Sequence, residues 1–314
     1  MHIPDNFLST PVWATLDSIA IPAVAIVSRK AQKATDSNRL PLMGVMGAFV
    51  FAAQMINFPV GLGTSGHLVG GTLLACLLGP WAAALVITAI LIVQALIFQD
   101  GGVLALGANI INMALIGVLA GYLPARLLSR SRWKALGIVL GGTCSVLASG
   151  VLALSELLFS GIRMSKPLIG VSLGLFAVNA LLEGGITLTV LTAIQRLNPA
   201  MTTAFAAPKI PPARRTAIWA RLLLPVACAS AALAAVGILM ASSLPDGLQR
   251  LGQKLQLPLG AHPVFHSPLR DYNVQGFGNA WMSRASAGLL GLVFIYAICL
   301  LGSHLLDRAR RSYS

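Results

Sequence analysis

Long apolar segments recur along nearly the whole chain, and they limit its fold more than any other feature. Many run for about 18 residues or more, the length that crosses a bilayer as a helix. Only 10% of the 314 residues are charged, whereas a soluble domain carries roughly a quarter. The sequence therefore predicts an all-α, polytopic integral membrane helical bundle.

Hydropathy predicts about seven helices in a main body and two in a tail. The body takes residues 1–200, a basic, proline-containing cytoplasmic linker takes 201–217, and the tail takes 218–314. A polar outer loop, 243–278, separates the two tail helices. The third segment is too short to cross a bilayer and is expected to line a cavity. The predicted segments are 8–28, 40–59, 67–79, 81–98, 103–124, 135–159, 168–194, 218–242 and 280–303.

Basic residues lie in short clusters between the apolar segments. With the amino terminus outside, 16 of the 22 lysines and arginines fall on cytoplasmic segments and 6 on outer segments. This bias is the positive-inside pattern, so we expect the amino terminus outside and the carboxyl terminus in the cytoplasm. The net charge of +13 then reflects membrane topology, and we expect lipid rather than nucleic acid around the chain. The first residues lack the basic region and cleavage site of a signal peptide, and none is expected.

The opening Met1-His2 sequence offers a metal chelate. A free terminal amine, the amide nitrogen of His2 and its imidazole can wrap one ion in fused rings, and a fourth nitrogen would complete a square. Square-planar nitrogen ligation suits Ni(II) or Cu(II). Ile3, Pro4 and Phe7 favour a terminus that packs into the protein rather than a mobile one.

His67 follows a glycine-rich stretch, 61–66, at the start of a predicted apolar segment. A histidine is costly to bury in a membrane, so its default interpretation is functional. The alternative is an imidazole satisfied only by a backbone carbonyl. Thr64 and Ser65 could cap the following helix or accept the second imidazole N–H.

Further polar residues are candidates for supporting roles. Asn109 and Asn112 are three apart, hence on one helix face, and are expected to hydrogen-bond to the groups that bind the metal rather than to the metal itself. The turn 99–102 could close over it or be an ordinary hairpin. His262 and His266, in the tail's outer loop, could pre-load a metal or could be ordinary exposed histidines. The other polar residues inside apolar segments are expected to bond between helices: Asp17, Gln54, Asn57, Gln94, Glu156, Asn179 and Glu183.

Catalytic and nucleotide-binding patterns are missing from the sequence. It has no GxxxxGK[ST] phosphate loop, so any ATP hydrolysis that drives transport must occur on another chain. Nothing suggests covalent or acid–base catalysis, and the protein is not expected to be an enzyme. The four cysteines lie inside apolar segments and are expected to be buried without disulfides.

Several motifs together resemble the substrate-specific component of nickel/cobalt energy-coupling-factor transporters, the NikM/CbiM family. The resemblance covers about the first 200 residues. The tail segment 242–248 resembles the "PDGLE" signature of the small partner subunit of these systems, with Gln249 where glutamate is usual. The motifs that carry the main resemblance are MHIPDNFLS at 1–9, GTSGHLVG at 63–70, LGP at 78–80, QALIFQDGG at 94–102, LGAN at 106–109 and NM at 112–113.

The resemblance implies a function and a ligand set. The metal would be held by the Met1 amine, the His2 amide and imidazole, and the His67 imidazole. It would be a transported substrate, Ni²⁺ or Co²⁺, and the opening and the fused tail favour Ni²⁺. The partners would be a transmembrane coupling subunit and ATPase subunits in the bacterial cytoplasmic membrane. Co²⁺ uptake for cobalamin synthesis is the alternative within this family.

Two departures and two competing hypotheses accompany the resemblance. Asn6 and Gln99 stand where glycine is usual; asparagine is the best substitute for glycine in left-handed backbone. A self-sufficient permease would instead move protons or cations along the intramembrane carboxylates, and a structural subunit would bind no metal.

The surface for the coupling subunit is expected to use small residues: Gly44, Gly47 and Ala48.

Overall fold

The chain forms ten α-helices and one small hairpin within the residues that the computed structural model describes, 2–34, 40–197, 212–257, 265–274, 277 and 279–312. The hairpin pairs β1 (Phe58–Gly61) with β2 (Thr64–Gly66) antiparallel. The helices are α1 Thr10–Ala34, α2 Leu40–Gln54, α3 Gly71–Leu78, α4 Pro80–Phe98, α5 Leu106–Leu127, α6 Lys134–Phe159, α7 Lys166–Leu197, α8 Pro212–Ala235, α9 Gly247–Lys254 and α10 Ala280–Ser312.

The predicted all-α membrane architecture is confirmed. Among the described residues, six helices are long and apolar enough to cross a membrane: α1, α4, α5, α6, α7 and α10. Large apolar side chains point outward, for example Ile21, Leu127 and Phe159, which are 73%, 79% and 80% exposed. Exposed apolar surface of this extent suits lipid contact, so the protein is a multi-pass membrane protein.

Several predicted segments differ from the observed elements. The second apolar segment ends as a helix at Gln54, and 58–66 forms the hairpin instead of a helix end and loop. The third helix begins at Gly71 rather than at His67, because Gly70 adopts a left-handed conformation with φ 78°. The tail's outer loop contains α9, which the sequence prediction omitted. Its first turn is fixed by a capping box, in which Asp246 and Gln249 each accept from the other's backbone amide.

Part of the predicted linker is helical. Helix α8 begins at Pro212, inside the range 201–217 expected for the linker, and residues 201–211 lie outside the part of the chain that the structure describes. Proline suits the first position of a helix, because its missing N–H has no partner there in any case.

Glycines bring the helices of the body into backbone contact. A Cβ atom at Gly142 on α6 would lie 2.7 Å from the Cα of Gly184 on α7. Helices in lipid gain stability from such close approach, since no hydrophobic effect drives them together there. Helix α7 is thereby fixed against α6. It places Glu183 and Asn179 beside the loop that contains His67.

The tail packs on α2 of the body. A Cβ at Gly44 would lie 2.8 Å from the Tyr296 ring of α10, and Gly47 lies against Ile295 and Cys299 of the same helix. Ala48 is 7% exposed. The tail covers Gly44 and Gly47, and Ala48 is itself buried, so these small residues do not form the exposed surface expected for the coupling subunit.

Several loops meet at one end of the bundle. The amide of Ser242, in the tail, donates to the Asn57 carbonyl between α2 and β1 (2.7 Å). The amide of Gly102, after α4, donates to the Ile3 carbonyl (2.8 Å). The amino-terminal segment, the hairpin, the turn after α4 and the tail's outer loop are thus assembled together, and this end holds both candidate histidines.

Candidate metal site

The amino-terminal segment is held in the protein by backbone and side-chain hydrogen bonds. The Ile3 amide donates to Asn109 Oδ1 (2.8 Å), and Asn109 Nδ2 donates to the Ile3 carbonyl (3.1 Å). One asparagine on α5 therefore satisfies both polar groups of the residue after His2. Asp5 continues the attachment, because its Oδ1 accepts from the Leu104 amide (2.8 Å).

Two glycines after α4 leave room for this segment. A Cβ at Gly101, where φ is 93°, would lie 3.1 Å from the His2 Cβ. A Cβ at Gly102 would lie 2.6 Å from the Asp5 amide nitrogen. The segment 2–5 can lie against this turn only because both residues lack a side chain.

The imidazoles of His2 and His67 lie face to face. Their ring centroids are 5.3 Å apart and their planes differ by 15°. His2 is 4% exposed and His67 is 5% exposed. Two of the residues singled out from the sequence, 65 positions apart, are thus brought into one buried place.

Each imidazole has a defined neighbour. Nδ1 of His2 lies 3.3 Å from Asp100 Oδ1, and its buried Nε2 has no hydrogen-bond partner among the residues that the structure describes. Nδ1 of His67 lies 2.9 Å from the carbonyl oxygen of Leu68. Because a carbonyl oxygen can only accept, Nδ1 of His67 carries the proton in this arrangement and Nε2 is the ring nitrogen with a lone pair.

Burial keeps His67 neutral. It disfavours the charged imidazolium and lowers the pKa of His67 from 6.5 to about 3. At neutral pH no proton therefore competes for its ring nitrogen. A neutral imidazole is the form that binds a metal ion.

Asp100 links the site to the tail. The Tyr272 hydroxyl, in the tail's outer loop, donates to Asp100 Oδ2 (2.7 Å), and the same oxygen of Tyr272 accepts from Gln94 Nε2 (3.3 Å). Burial raises the pKa of the Asp100 carboxyl, but His2 and the Tyr272 hydroxyl outweigh it, and the pKa lies well below its usual range. Asp100 is therefore a carboxylate beside the two imidazoles. The sequence indicated a turn at 99–102 but not this role of Asp100.

The hairpin that precedes His67 is bonded to the tail. The Ser65 amide donates to the Pro245 carbonyl (2.9 Å), and Ser65 Oγ donates to the Leu244 carbonyl (2.7 Å). Ser65 and Asp246 form a parallel bridge. The PDG segment of the tail, 245–247, thus lies beside the hairpin and forms one isolated bridge with it.

The expected roles of Thr64 and Ser65 are wrong. Thr64 Oγ1 donates to the Gly61 carbonyl (2.6 Å), and Ser65 Oγ is directed to the tail. Neither hydroxyl caps α3, whose N-cap is Gly70 without a side-chain bond. The His67 ring nitrogen takes the Leu68 carbonyl instead.

The remaining sequence-derived candidates lie elsewhere. Asn112 donates to Glu156 Oε2 (2.8 Å) and supports the α5–α6 contact rather than the amino terminus. His266 is exposed. Met1 and His262 lie outside the described residues. Among the described residues, no group of three or more His, Cys, Asp or Glu side chains is placed to hold a metal ion.

A cavity of about 250 Å³ opens beside His2. The turn after α4 and the tail's outer loop both contribute to its wall, which is rich in acidic side chains. A positive ion would be favoured there over an anion. The acidic and basic residues that line it, besides His2, are Asp5, Asp100, Asp246, Arg270 and Asp271.

Asn6 and Gln99, the two residues that stand where glycine is usual in the family, both have left-handed backbone conformations. Asn6 has φ 68°, as expected for an asparagine at such a position, and Gln99 has φ 52°. The Gln99 side chain also bonds to the tail, where Oε1 accepts from the Ser267 amide (3.3 Å) and Nε2 donates to the Phe265 carbonyl. A glycine at position 99 would avoid the strained backbone but could not form these bonds to the tail. The bonds are therefore a physical reason for a side chain at this position.

The fold and this site define a class of protein: a multi-pass helical membrane protein with a nitrogen-rich, partly acidic site at one end of its bundle. The chain belongs to the CbiM family, because the family profile described as "Cobalt uptake substrate-specific transmembrane region" matches residues 2–201. A second profile, the PDGLE domain, matches residues 220–308.

Known proteins agree with this assignment. A chain from Archaeoglobus fulgidus is 32% identical over 304 residues, which cover 95% of this chain and 96% of that one. The "Fused nickel transport protein NikMN" of Rhodobacter capsulatus is 29% identical over 99% of this chain and 100% of its own length. A crystal structure of a transition metal transporter is 34% identical, has a TM-score of 0.56, and covers 63% of this chain and 94% of that chain.

Proposed function

We propose that this protein binds Ni²⁺ with high affinity and is the substrate-specific component of an ATP-driven importer. The ligands are the Met1 amine, the His2 amide and imidazole, and the His67 imidazole. Four nitrogens in a square suit Ni(II). The protein is a transport component without enzymatic activity of its own.

The observation that carries this proposal is the stacking of His2 on His67 in a buried place. Burying two imidazoles is costly unless they have partners. Within the described part of the chain His2 Nε2 has none, whereas a dication would engage both rings at once. The nearby Asp100 carboxylate offsets the positive charge that the metal brings.

One comparison and one chemical argument favour nickel over cobalt. The fused arrangement of the body and the PDGLE tail occurs in the Rhodobacter capsulatus protein, whose name specifies nickel. Square-planar nitrogen ligation also places Ni(II) above Co(II) in affinity. Co²⁺ uptake is the second candidate, since the matching family profile is described as a cobalt uptake region.

The site faces outward in this proposal. The described loops that build it lie at the end of the bundle opposite the clusters around Arg29 and Arg130, which the positive-inside rule assigns to the cytoplasm. A bacterial cytoplasmic membrane would then present the site to metal arriving from outside. Transfer inward requires a transmembrane coupling subunit and ATPase subunits.

The intramembrane carboxylates do not support a self-sufficient permease. Asp17 accepts from the Gly107 amide (2.7 Å), Glu156 from Asn112 (2.8 Å), and Glu183 from two backbone amides. In the described part of the chain, none of the three is hydrogen-bonded to another. They stabilise separate contacts rather than forming a continuous proton path.

Transport in liposomes tests the proposed function. We expect the protein alone to show no Ni²⁺ flux under a proton gradient, and flux to appear when the coupling and ATPase subunits and ATP are added. A Walker-motif variant of the ATPase is the control. Flux through the protein alone, driven by the proton gradient, would establish the permease instead.

The Gly102→Ala variant is expected to weaken Ni²⁺ binding by about tenfold or more. A methyl group there would lie 2.6 Å from the Asp5 amide nitrogen and would displace the segment that carries His2. Overpacking of this kind costs about 1–3 kcal/mol, and about 1.4 kcal/mol is a factor of ten. Calorimetric titration measures the effect. Gly174→Ala is the control, since nothing lies within 4 Å of a Cβ there.

Nickel affinity is expected to fall as pH falls from 8 to 6. The terminal amine, with an ordinary pKa of about 7.7–8.0, and the His2 amide must both lose a proton to bind. His67 adds nothing to this slope, because its pKa of about 3 leaves it neutral throughout the range. For each group that must lose a proton, Ni²⁺ affinity falls about tenfold for every unit by which the pH is lowered, over the range in which that group is protonated in the metal-free protein. An affinity independent of pH would contradict chelation by the amine and amide.

A further inference from the structure

Among the described residues, the buried carboxylate of Glu183 has only backbone amides as hydrogen-bond partners. It lies in the middle of α7 and is 0% exposed. Its Oε2 accepts from the Val69 amide (2.7 Å) and its Oε1 accepts from the Gly70 amide (2.9 Å). Among the described residues, no lysine or arginine pairs with it, so this acidic group is satisfied by one short stretch of loop.

The loop is shaped to receive the carboxylate. Gly70 has φ 78° and ψ 1°, a left-handed conformation that lets successive N–H groups point to the same side. A side chain at Gly70 is also excluded, since a Cβ there would lie 2.5 Å from Val50 Cγ1. The Val69 carbonyl is held from the other direction by Gln54 Nε2 (2.8 Å).

One peptide group connects Glu183 to His67. The peptide between Leu68 and Val69 presents its N–H to Glu183 Oε2 (2.7 Å) and its carbonyl oxygen to His67 Nδ1 (2.9 Å). A strong acceptor on the N–H side of a peptide increases the acceptor strength of its carbonyl. The carboxylate therefore acts on the imidazole through a single intervening peptide.

We infer that Glu183 is a positioning residue that fixes the orientation and tautomer of His67 for the metal. The arrangement corresponds to a carboxylate–histidine–metal triad with one peptide inserted between carboxylate and ring. In such triads the outer partner sets the ring tautomer and makes the other nitrogen a better ligand. Here the proton is held on Nδ1, and Nε2 is presented to the ion. This inference rests on the proposed role of His67 as a ligand.

Substitutions at Glu183 test the inference. Glu183→Gln keeps the size but offers one acceptor, so one of the two backbone amides would face an NH₂ group. We expect Ni²⁺ affinity to fall about 10- to 100-fold, the range for outer partners of metal ligands. The absorption bands of the bound nickel should shift as well, which a loss of stability alone would not cause. Glu183→Asp, which keeps both acceptors on a shorter side chain, should recover part of the affinity.

Glu156→Gln is the matched control. Glu156 is also a buried membrane glutamate, 6% exposed, but it bonds to Asn112 on α5 and not to the loop of His67. We expect its nickel affinity to stay within about twofold of wild type and its spectrum to be unchanged. An equal loss in both variants would assign the effect to bundle stability and overturn the inference.

A measurement without metal separates this inference from the proposed function. In ¹⁵N-histidine-labelled protein free of metal, His67, assigned by its absence in His67→Ala, should be the Nδ1–H tautomer. In Glu183→Gln it should shift toward a mixture, and if that variant does not fold, Glu183→Asp should show a smaller shift. An unchanged tautomer and nickel spectrum in the folded variants would overturn the role of Glu183. Unchanged nickel binding in His67→Ala would instead refute the proposed ligand set.

Discussion

Extending the chain by three residues ahead of Met1 is expected to lower Ni²⁺ affinity by about a hundredfold or more. The extension converts the Met1 amine into an amide and moves the charged terminus away from His2, so the fused chelate rings cannot form. The loss of a ligand should exceed the about 10- to 100-fold cost of losing an outer partner. Calorimetric titration of purified protein in detergent measures it.

The length of this extension matters. A single added residue would make the histidine third in the chain, where the amine, two amides and the imidazole could themselves surround a nickel ion. Three residues avoid that new chelate. The control carries the same three residues after Ser314, and its affinity should equal that of wild type. Equal affinity in the amino-terminally extended form would remove the Met1 amine from the site.

The His67→Ala variant is expected to show a loss of similar size. It removes the fourth nitrogen, and a water molecule would have to replace a neutral, pre-oriented imidazole. The His2 ring would also lose its stacked partner at 5.3 Å. Titration with Ni²⁺ and a thermal melt of the metal-free protein together distinguish loss of a ligand from loss of fold.

His266→Ala serves as the matched control for this variant. His266 is an exposed histidine of the tail's outer loop, and its removal should leave nickel affinity unchanged. Full nickel affinity in His67→Ala, with a lower affinity in His266→Ala, would move the site into the tail.

The membrane helices could be predicted from the sequence, because a bilayer demands about 20 consecutive apolar residues per helix. Helices α4, α6 and α7 begin and end within a few residues of their predicted positions. The hairpin at 58–66 could not be predicted in the same way. Its strands are three and four residues long, too short for an alternating pattern to be distinguished from a glycine-rich loop.

The candidate site was predictable in part. His2, His67 and Asn109 carry recognisable signals, namely a terminal chelate, a costly intramembrane position and a polar residue on an apolar helix. Asp100 and Tyr272 do not, because they meet only through a contact between residues 172 positions apart. The capping box of α9 could have been predicted, since Asp246 and Gln249 have the spacing of that motif.

The role of Glu183 could not be derived from sequence for a different reason. Its partners are backbone amides of a distant loop, and any residue type can supply an amide. The Thr64 and Ser65 prediction failed for a related reason, since a hydroxyl near a helix start is a good cap only when the helix begins there. In this chain Gly70 delays the start of α3 until after His67.

The tail has a structural role that the sequence left open. It bonds to Ser65 of the hairpin before His67 and supplies the Tyr272 hydroxyl to Asp100 beside His2. The PDGLE region is therefore linked to His2 through Asp100 and to His67 through Ser65 and Gly66.

The electronic spectrum and magnetism of the nickel-loaded wild-type protein test the central claim most directly. The proposed ligand set predicts one Ni²⁺ per chain in a yellow, diamagnetic complex, as four nitrogens in a square require. A pale green, paramagnetic, six-coordinate ion would contradict it. The metal would then be held mainly by oxygen ligands, such as the acidic wall of the cavity beside His2.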